Sequence, residues 1–375
     1  MARTYGFLST FPPTQCGLAT FTAALLHHLV EVTPGARGRV VRVLADTDRP
    51  RGATPPVVHE MAAGGVEAAA EALNDCDVVV VQHEYGIYAG RDGDDVLGVL
   101  ARLRVPVIVV LHTVLTEPTA GQRQVLEDVV GRADAVVTMS VAARDRLLAG
   151  YAVARPEDVV VIPHGALPVD APPSAPRAGR PLILTWGLLG RGKGVEWGIS
   201  ALGMLRDLNP RYLVAGQTHP KVLASEGEAY RTHLGERAAA FGVADLVEFD
   251  ATYRPVDALA ELVGRADVVL LPYESSEQVT SGVLIEAVGA GRPVVATRFP
   301  HAVELLAGGA GLVVPHRDPV AIAAALRRVL TDPGLAAGMG ERARRLAPSV
   351  SWPAVARSYR GLSEHLAATR VVTPL

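Results

Sequence analysis

Residues 266–297 read "ADVVLLPYESSEQVTSGVLIEAVGAGRPVVAT". An apolar run stops at Pro272, and a polar loop follows that carries Glu274, Glu277, Gln278 and a Thr280-Ser281-Gly282 step. Then come the apolar segment "VLIEAV" and a second short run, "PVVAT". Two β-branched runs joined through a helical segment make a βαβ unit, the building block of a parallel sheet. Ser281 stands where a helix N-cap would. A cap needs only one serine, however, and Glu286 lies one turn inside the helix beside apolar neighbours. A carboxylate there can accept two hydroxyls, as acidic residues do with a ribose in dinucleotide folds. The stretch is therefore a helix cap alone, or a grip on a phosphorylated ligand.

The same alternation runs along the chain. In the first half the apolar runs are "RVVRVLAD", "DVVVVQHE", "VPVIVVLHT", "ADAVVTMS" and "DVVVIPHG". In the second they are "PLILTW", "RYLVAG", "LVEFD", "ADVVLLPY", "PVVAT" and "GLVVP". Ala/Leu-rich helical segments separate them, so the fold class is α/β with parallel sheets. Between the halves "PVDAPPSAPRAGRP" has no apolar period and reads as a linker. The expected organisation is a first domain over 1–168, a linker over 169–180 and a second domain over 181–350. Residues 351–375 form a final helix, with Trp352, Val355, Tyr359, Leu362 and Leu366 on one face. Periodicity does not say which domain that helix packs on; it is assigned as crossing back to the first. In doubly wound folds, ligands bind outside the carboxyl ends of the strands. Gln15–Gly17, His83–Glu84, His112, His164 and Arg191–Lys193 all fall at that edge, and two such domains facing each other would line a cleft.

At 375 residues the chain exceeds one typical core. Hydrophobic residues make up 49%, yet no apolar run reaches the roughly 18 residues of a membrane span. The first residues, "MARTYGFLSTFPPTQ", lack the charged-then-apolar order of a signal peptide. A net charge of −3 with mixed signs offers no footprint for nucleic acid. Cys16 and Cys76 form no CxxC and read as free thiols in a reducing cytosol. The expectation is a cytoplasmic protein.

Several motifs carry chemistry. In "TQCGLATF", Gly17 precedes an apolar helical stripe and either shapes a turn or lets backbone approach a phosphate. Gly187-x-x-x-x-Gly192-Lys193 has P-loop spacing, but Gly194 replaces the Ser or Thr that holds magnesium in P-loop enzymes. Glycine-rich backbone, two cations and a helix start still favour a phosphate. His112 ends a buried strand, as a satisfied polar end or as a group that bonds a substrate hydroxyl or moves a proton. His83 with Glu84, and His164 before Gly165, admit the same choice. No trio of His, Cys, Asp or Glu shows close metal-ligand spacing, so no metal site is expected. The Asp-x-Asp matches at Asp46–Asp48 and Asp75–Asp77 are discounted, and no GxGxxG supports a dehydrogenase.

Together these residues resemble the retaining glycosyltransferases of family 4, which have the GT-B fold of two Rossmann-like parallel-sheet domains facing a central cleft. The resemblance covers nearly the whole chain: the glycine-bearing first loop, "LHTV", "VIPHG", the Arg/Lys loop, "ADVVLLPYES" to "PVVAT", and "SWPAVARSY". The family's glutamate, seven residues, glutamate register runs here from Gln278 to Glu286. It implies that Glu286 bonds the ribose of a nucleotide sugar, and that Gln278, flanked by Glu277, stands where a sugar-contacting glutamate usually does. Lys193-Gly194 match the family's phosphate loop, while Leu188 occupies the usual arginine position and Arg191 reaches the phosphates from elsewhere. The resemblance implies transfer of a mannose- or glucose-type hexose from a GDP- or UDP-linked donor to a sugar or other hydroxyl. Arg191, Lys193, Ser281, Gly282 and Gly17 would hold the donor phosphates. His112, Gln278 and Glu277 would act at the sugar, with no metal, cofactor or protein nucleophile. Rival readings are a non-hydrolysing nucleotide-sugar epimerase, a P-loop-like nucleotide-binding protein and a binding protein without turnover.

Overall fold

The computed structural model describes residues 3–44, 48–167 and 179–372. Asp46, and residues 169–178 of the expected linker, lie outside the described residues. The chain divides into two compact units, Met1–Gly165 with Trp352–Leu375, and Ala166–Ser351.

The first unit is built on seven strands: β1 (Thr4–Ser9), β2 (Arg37–Val43), β3 (Val57–Met61), β4 (Val78–His83), β5 (Val107–Leu111), β6 (Ala135–Thr138) and β7 (Val159–Val161). All neighbours are parallel, in the order β3-β2-β1-β4-β5-β6-β7. The second unit has six: β8 (Leu182–Trp186), β9 (Arg211–Ala215), β10 (Val247–Asp250), β11 (Val268–Leu271), β12 (Val294–Thr297) and β13 (Gly311–Val314). Its order is β10-β9-β8-β11-β12-β13, again all parallel. Both are the doubly wound order in which the chain reverses direction across the sheet after its third strand. The reversal falls between β1 and β4 in the first unit and between β8 and β11 in the second.

All six runs read in the second half are strands. In the first half, β1 and β3 escaped the apolar-run reading. β1, "TYGFLS", mixes Tyr, Gly and Ser, yet it is an interior strand, paired on both sides, and its Phe7 and Leu8 are fully buried. A strand covered on both faces needs no alternation to be stable.

Strand periodicity assigns the second unit's core to two faces. Ile183, Val214 and Leu270 pack on one side of the sheet. Leu184, Trp186, Leu213 and Leu271 pack on the other, against Leu284, Ala287 and Val288 of the helix Gly282–Gly289. Trp186 and that helix therefore share a face. In the first unit the helix Trp352–Val372 packs on the helix Gly17–Val32. Among the described residues no helix is long and apolar enough to cross a membrane.

Candidate functional site

The loops after β8 and β11 flank the switch point of the second sheet. After β8 the chain turns through Gly187–Gly194 into the helix Val195–Leu202. Gly194 has φ 65°, and a Cβ on it would stand 1.9 Å from the Pro272 carbonyl oxygen. The serine or threonine of a P-loop cannot occupy that position, which removes the metal ligand such enzymes require. Lys193 Nζ sits 4.4 Å from the centroid of the buried Tyr273 ring, a cation–π contact. Arg191 is exposed and its Nε pairs with Glu226 at 3.1 Å, so it reaches a phosphate only by leaving that pair. An exposed pair of this kind is worth about 1 kcal/mol or less, and a doubly charged ligand can outbid it. Burial, Lys221 and Lys193 together hold the His219 pKa below its usual value. Lys193, Lys221 and Arg191 thus give this loop a local positive field.

After β11, the Glu274 amide donates to the Gly192 carbonyl at 2.9 Å and ties the two loops together. The Glu274 carboxylate accepts from Trp197 Nε1 at 2.6 Å and from Arg317 Nε at 3.1 Å. Glu277 donates its amide to Ser275 Oγ at 3.1 Å. Gln278 Nε2 donates to the Thr280 carbonyl at 3.1 Å, and its own carbonyl accepts from the His301 amide at 3.4 Å. Ser281 Oγ accepts from the Leu284 amide at 3.2 Å, as an N-cap does. The Ser281 amide, expected to face a phosphate, donates instead to His301 Nδ1 at 2.9 Å in a buried contact. That expectation is corrected: the first-turn donors with no acceptor inside the helix are those of Gly282 and Val283.

Glu286 is half-buried one turn into the helix. Its Oε2 accepts from Trp186 Nε1 at 3.0 Å. Burial pushes the carboxyl up to about 7, with the Trp186 bond pulling the other way. Sequence reasoning missed Trp186 and His301. An indole at the carboxyl end of a strand, with a donor that needs an acceptor, was the available signal.

The first unit carries its candidates at the carboxyl ends of β1, β4, β5 and β7. His112 follows β5, and its Nε2 lies 2.7 Å from Gln82 Oε1. With that oxygen opposite, Nε2 carries the proton and Nδ1 is an acceptor, as assigned from the bonding partner. The Phe21 ring meets His112 and His164 edge-on, with centroids 5.1 and 5.0 Å away. Burial drives the pKa values of His83, His112 and His164 down to about 4, 3 and 4. All three are neutral at pH 7. Thr113 donates to Glu84, and His164 Nδ1 donates to the Gly165 carbonyl at 2.7 Å.

Gly17 is the exposed first residue of its helix, and a Cβ there would meet nothing within 4 Å. Neither a positive φ nor crowding demands glycine. The preceding Cys16 caps the helix through its Sγ, 3.4 Å from the Ala19 amide, and both cysteines are free. Asp77 accepts from the Thr4 amide at 2.7 Å and Asp75 pairs with Arg39 at 3.3 Å, which accounts for that Asp-x-Asp structurally. One trio with ligating atoms within 4.8 Å of each other does occur among the described residues, His27, His28 and Glu31. The sequence reading that no such trio exists is corrected. Its members span little more than one turn of an exposed helix face, where Glu31 bonds both histidines.

Residues 180–332 match the family model described as Glycosyl transferases group 1. The chain carries a group 1 glycosyltransferase domain of the GT4 type. That domain contains Arg191, Lys193, Glu277, Gln278, Ser281, Gly282 and Glu286, while His112 and Gly17 lie outside the matched residues. Over 294 residues the chain is 30% identical to a D-inositol 3-phosphate glycosyltransferase from Acidothermus cellulolyticus, covering 72% of this chain and 64% of that one. The enzyme of the same name from Corynebacterium kroppenstedtii is 29% identical over 291 residues, with 70% and 62% covered. The chain therefore spans just under two thirds of the length of these relatives. In structure it is similar to a glycosyltransferase from Rickettsia africae, at TM-score 0.76, 14% identity and coverage of 98% and 99%. An Anabaena protein solved with UDP and glucose gives TM-score 0.73 at 16% identity, with 97% and 100% covered. At these identities the likeness is one of fold: the group 1 domain here is half of a GT-B class chain with two parallel-sheet α/β units.

Proposed function

We propose that the protein is a retaining glycosyltransferase that moves a mannose- or glucose-type hexose from a nucleotide-diphosphate sugar to a hydroxyl acceptor. One observation carries this reading: the Lys193–Gly194 turn after β8 and Glu286, in the helix that follows β11, flank the switch point of the group 1 domain. A carboxylate for ribose hydroxyls and a cationic glycine turn for phosphates belong together at such an edge. The inositol-phosphate glycosyltransferase relatives and the neighbour solved with UDP and glucose support a sugar nucleotide as donor, with UDP tested first and GDP beside it.

In the reaction the diphosphate leaves the anomeric carbon as an oxocarbenium-like centre forms. Lys193 and the Gly282 and Val283 amides stabilise the charge that develops on the departing phosphate. Arg191 joins them on leaving Glu226, and the exposed Gly17 leaves room for close backbone approach. Glu286 holds the ribose. His112, neutral and with Nδ1 as acceptor, receives a sugar hydroxyl and orients the hexose. Gln278 and Glu277 are the second unit's sugar-contacting groups, an amide supplying hydrogen bonds without charge. The acceptor hydroxyl attacks from the leaving-group face and the phosphate takes its proton, so neither a protein nucleophile nor a metal is required.

The test has two arms. In a thermal-shift panel of UDP, GDP, ADP and their sugars, the preferred nucleotide at about 100-fold its Kd should stabilise the chain by about 2.7 kcal/mol, a rise of a few degrees. Incubation of the preferred donor with hydroxyl acceptors should then yield free nucleoside diphosphate and a glycoside of unchanged anomeric configuration. Interconversion of the donor sugar with no acceptor present would replace this reading with an epimerase.

A further inference from the structure

Glu286 has two oxygens, and one of them is already bonded. Trp186 closes β8 at 3% exposure and shares a sheet face with the Gly282–Gly289 helix, so its indole points at the second turn of that helix. The contact joins residues 100 positions apart, and no second protein donor to Glu286 is present among the described residues. We propose that Trp186 is a positioning residue for Glu286: its N–H fixes one carboxylate oxygen, aims the carboxyl at the ligand's hydroxyls, and makes nucleotide binding answer to the ionisation of that carboxyl. The proposal rests on the nucleotide-site reading above.

The physical basis is one-sided donation. An indole N–H donates and never accepts, and it bonds an ionised acceptor more strongly than a neutral one. Removing it therefore costs the carboxylate form more than the acid form. The carboxyl is half-buried, and burial pushes it up to about 7 against the pull of the Trp186 bond. Of the ionisable groups on the surrounding elements, three are engaged elsewhere. Lys193 lies over Tyr273, Glu274 is held by Trp197 and Arg317, and His301 is bonded to Ser281. Glu277 sits in the same loop and bonds Ser275 through its amide. On the helix Pro333–Leu346, which packs on the Glu286 helix, Arg344 lies beside Gly291 and Glu341 pairs with Arg345. None of them forms an ion pair with Glu286 among the described residues.

A carboxylate held at one oxygen by a neutral donor keeps its remaining lone pairs for ligand hydroxyls but loses its freedom to rotate. It meets those hydroxyls in a fixed direction, and it accepts from them more strongly when ionised.

The experiment uses the full chain and UDP as probe. UDP affinity is measured by calorimetry from about pH 5 to about pH 9, for wild type, Trp186→Phe and Glu286→Gln. Wild-type affinity should rise with pH around neutrality. Trp186→Phe should bind UDP about tenfold more weakly at neutral pH, with its midpoint displaced upward by about one pH unit. Glu286→Gln should lose the component with a midpoint of about 7 and keep only the titration of the UDP terminal phosphate, at about pH 6. The indole emission of the unliganded chain gives a readout free of UDP: the difference between wild type and Glu286→Gln, in which the contributions of Trp197 and Trp352 cancel, should titrate with a midpoint of about 7. A Trp186→Phe profile that superimposes on wild type overturns the proposal. So does a wild-type-minus-Glu286→Gln emission difference with no step at about pH 7, which decides the matter if Trp186→Phe fails to fold. If UDP binds none of the three proteins while the emission step is present and lost in Glu286→Gln, the pairing stands and the nucleotide-site reading fails.

Discussion

Glu286 sets stability and function against each other. Its carboxyl keeps a proton in the native chain up to about pH 7, whereas an unperturbed glutamate releases it near 4.5. Between those values the native state binds more protons than the unfolded one, so stability falls as pH rises through the window and levels off above it. Glu286→Gln carries no such proton. Its urea midpoint relative to wild type should therefore climb from about pH 4 to about pH 8, and an unchanged difference would contradict the raised pKa. Gln278 makes a second residue-scale case. Its Nε2 donates to the Thr280 carbonyl, and a glutamate there would bring a carboxylate against that oxygen. Gln278→Glu should cost about 1 kcal/mol in chemical denaturation and leave donor turnover no faster. Glu286 was legible in the sequence because a carboxylate among apolar helix positions is an anomaly. Trp186 was not, since its partner is set by which face of a distant strand meets which helix. The engagement of the Ser281 amide was hidden for the same reason, His301 lying 20 positions further on.

At the scale of elements, two close approaches decide how the site loops are held. Gly194 turns the chain from β8 into its helix with the Pro272 carbonyl where a Cβ would be. Gly194→Ser would restore a P-loop signature to the sequence while forcing that collision at a positive φ. It should destabilise the second unit by several kcal/mol, with no gain of nucleoside triphosphate hydrolysis. In the first unit, Trp352 opens the C-terminal helix and packs edge-on against Phe21 at 5.2 Å. A Cβ on Gly165 would lie 2.2 Å from the same indole, so the "PHG" glycine is there to admit this ring. Trp352→Ala should cost about 3 to 5 kcal/mol, with amide exchange rising along β1 and in the Gly17–Val32 helix. Apolar periodicity showed that the C-terminal helix packs one face, and the identity of that face's neighbours came only with the tertiary structure. Runs of Val, Ile and Leu made eleven of the strands readable. β1 and β3 lack such runs: β1 interrupts its apolar residues with Gly6 and Ser9, and β3 is a half-buried edge strand that carries His59 and Glu60.

Across the whole molecule, the two units differ in what acid does to them. The first keeps His83, His112 and His164 neutral with pKa values of about 4, 3 and 4, against 6.5 for an ordinary imidazole. An unfolded chain takes up those protons first, so the stability they permit is present above pH 6.5 and is lost as pH falls toward the folded values. His83, at 1% exposure, should by itself cost about 1 kcal/mol for each pH unit below that point. The three are not independent, since His83 and His164 both disfavour charge on His112. Protonating one makes the native state less able to accept the next, which sharpens the loss. Hydrogen exchange corrected for intrinsic rates should show β4 and β5 opening between about pH 7 and about pH 5, while β8 and β11 keep their protection. His83→Met removes one of these titrations without removing a hydrogen bond of Nδ1, which has no partner among the described residues. That variant should hold its first-unit protection about one pH unit further into acid. Equal acid loss in wild type and variant would mean that burial of neutral histidine does not govern this unit, and would weaken the neutral form assigned to His112 in orienting the sugar.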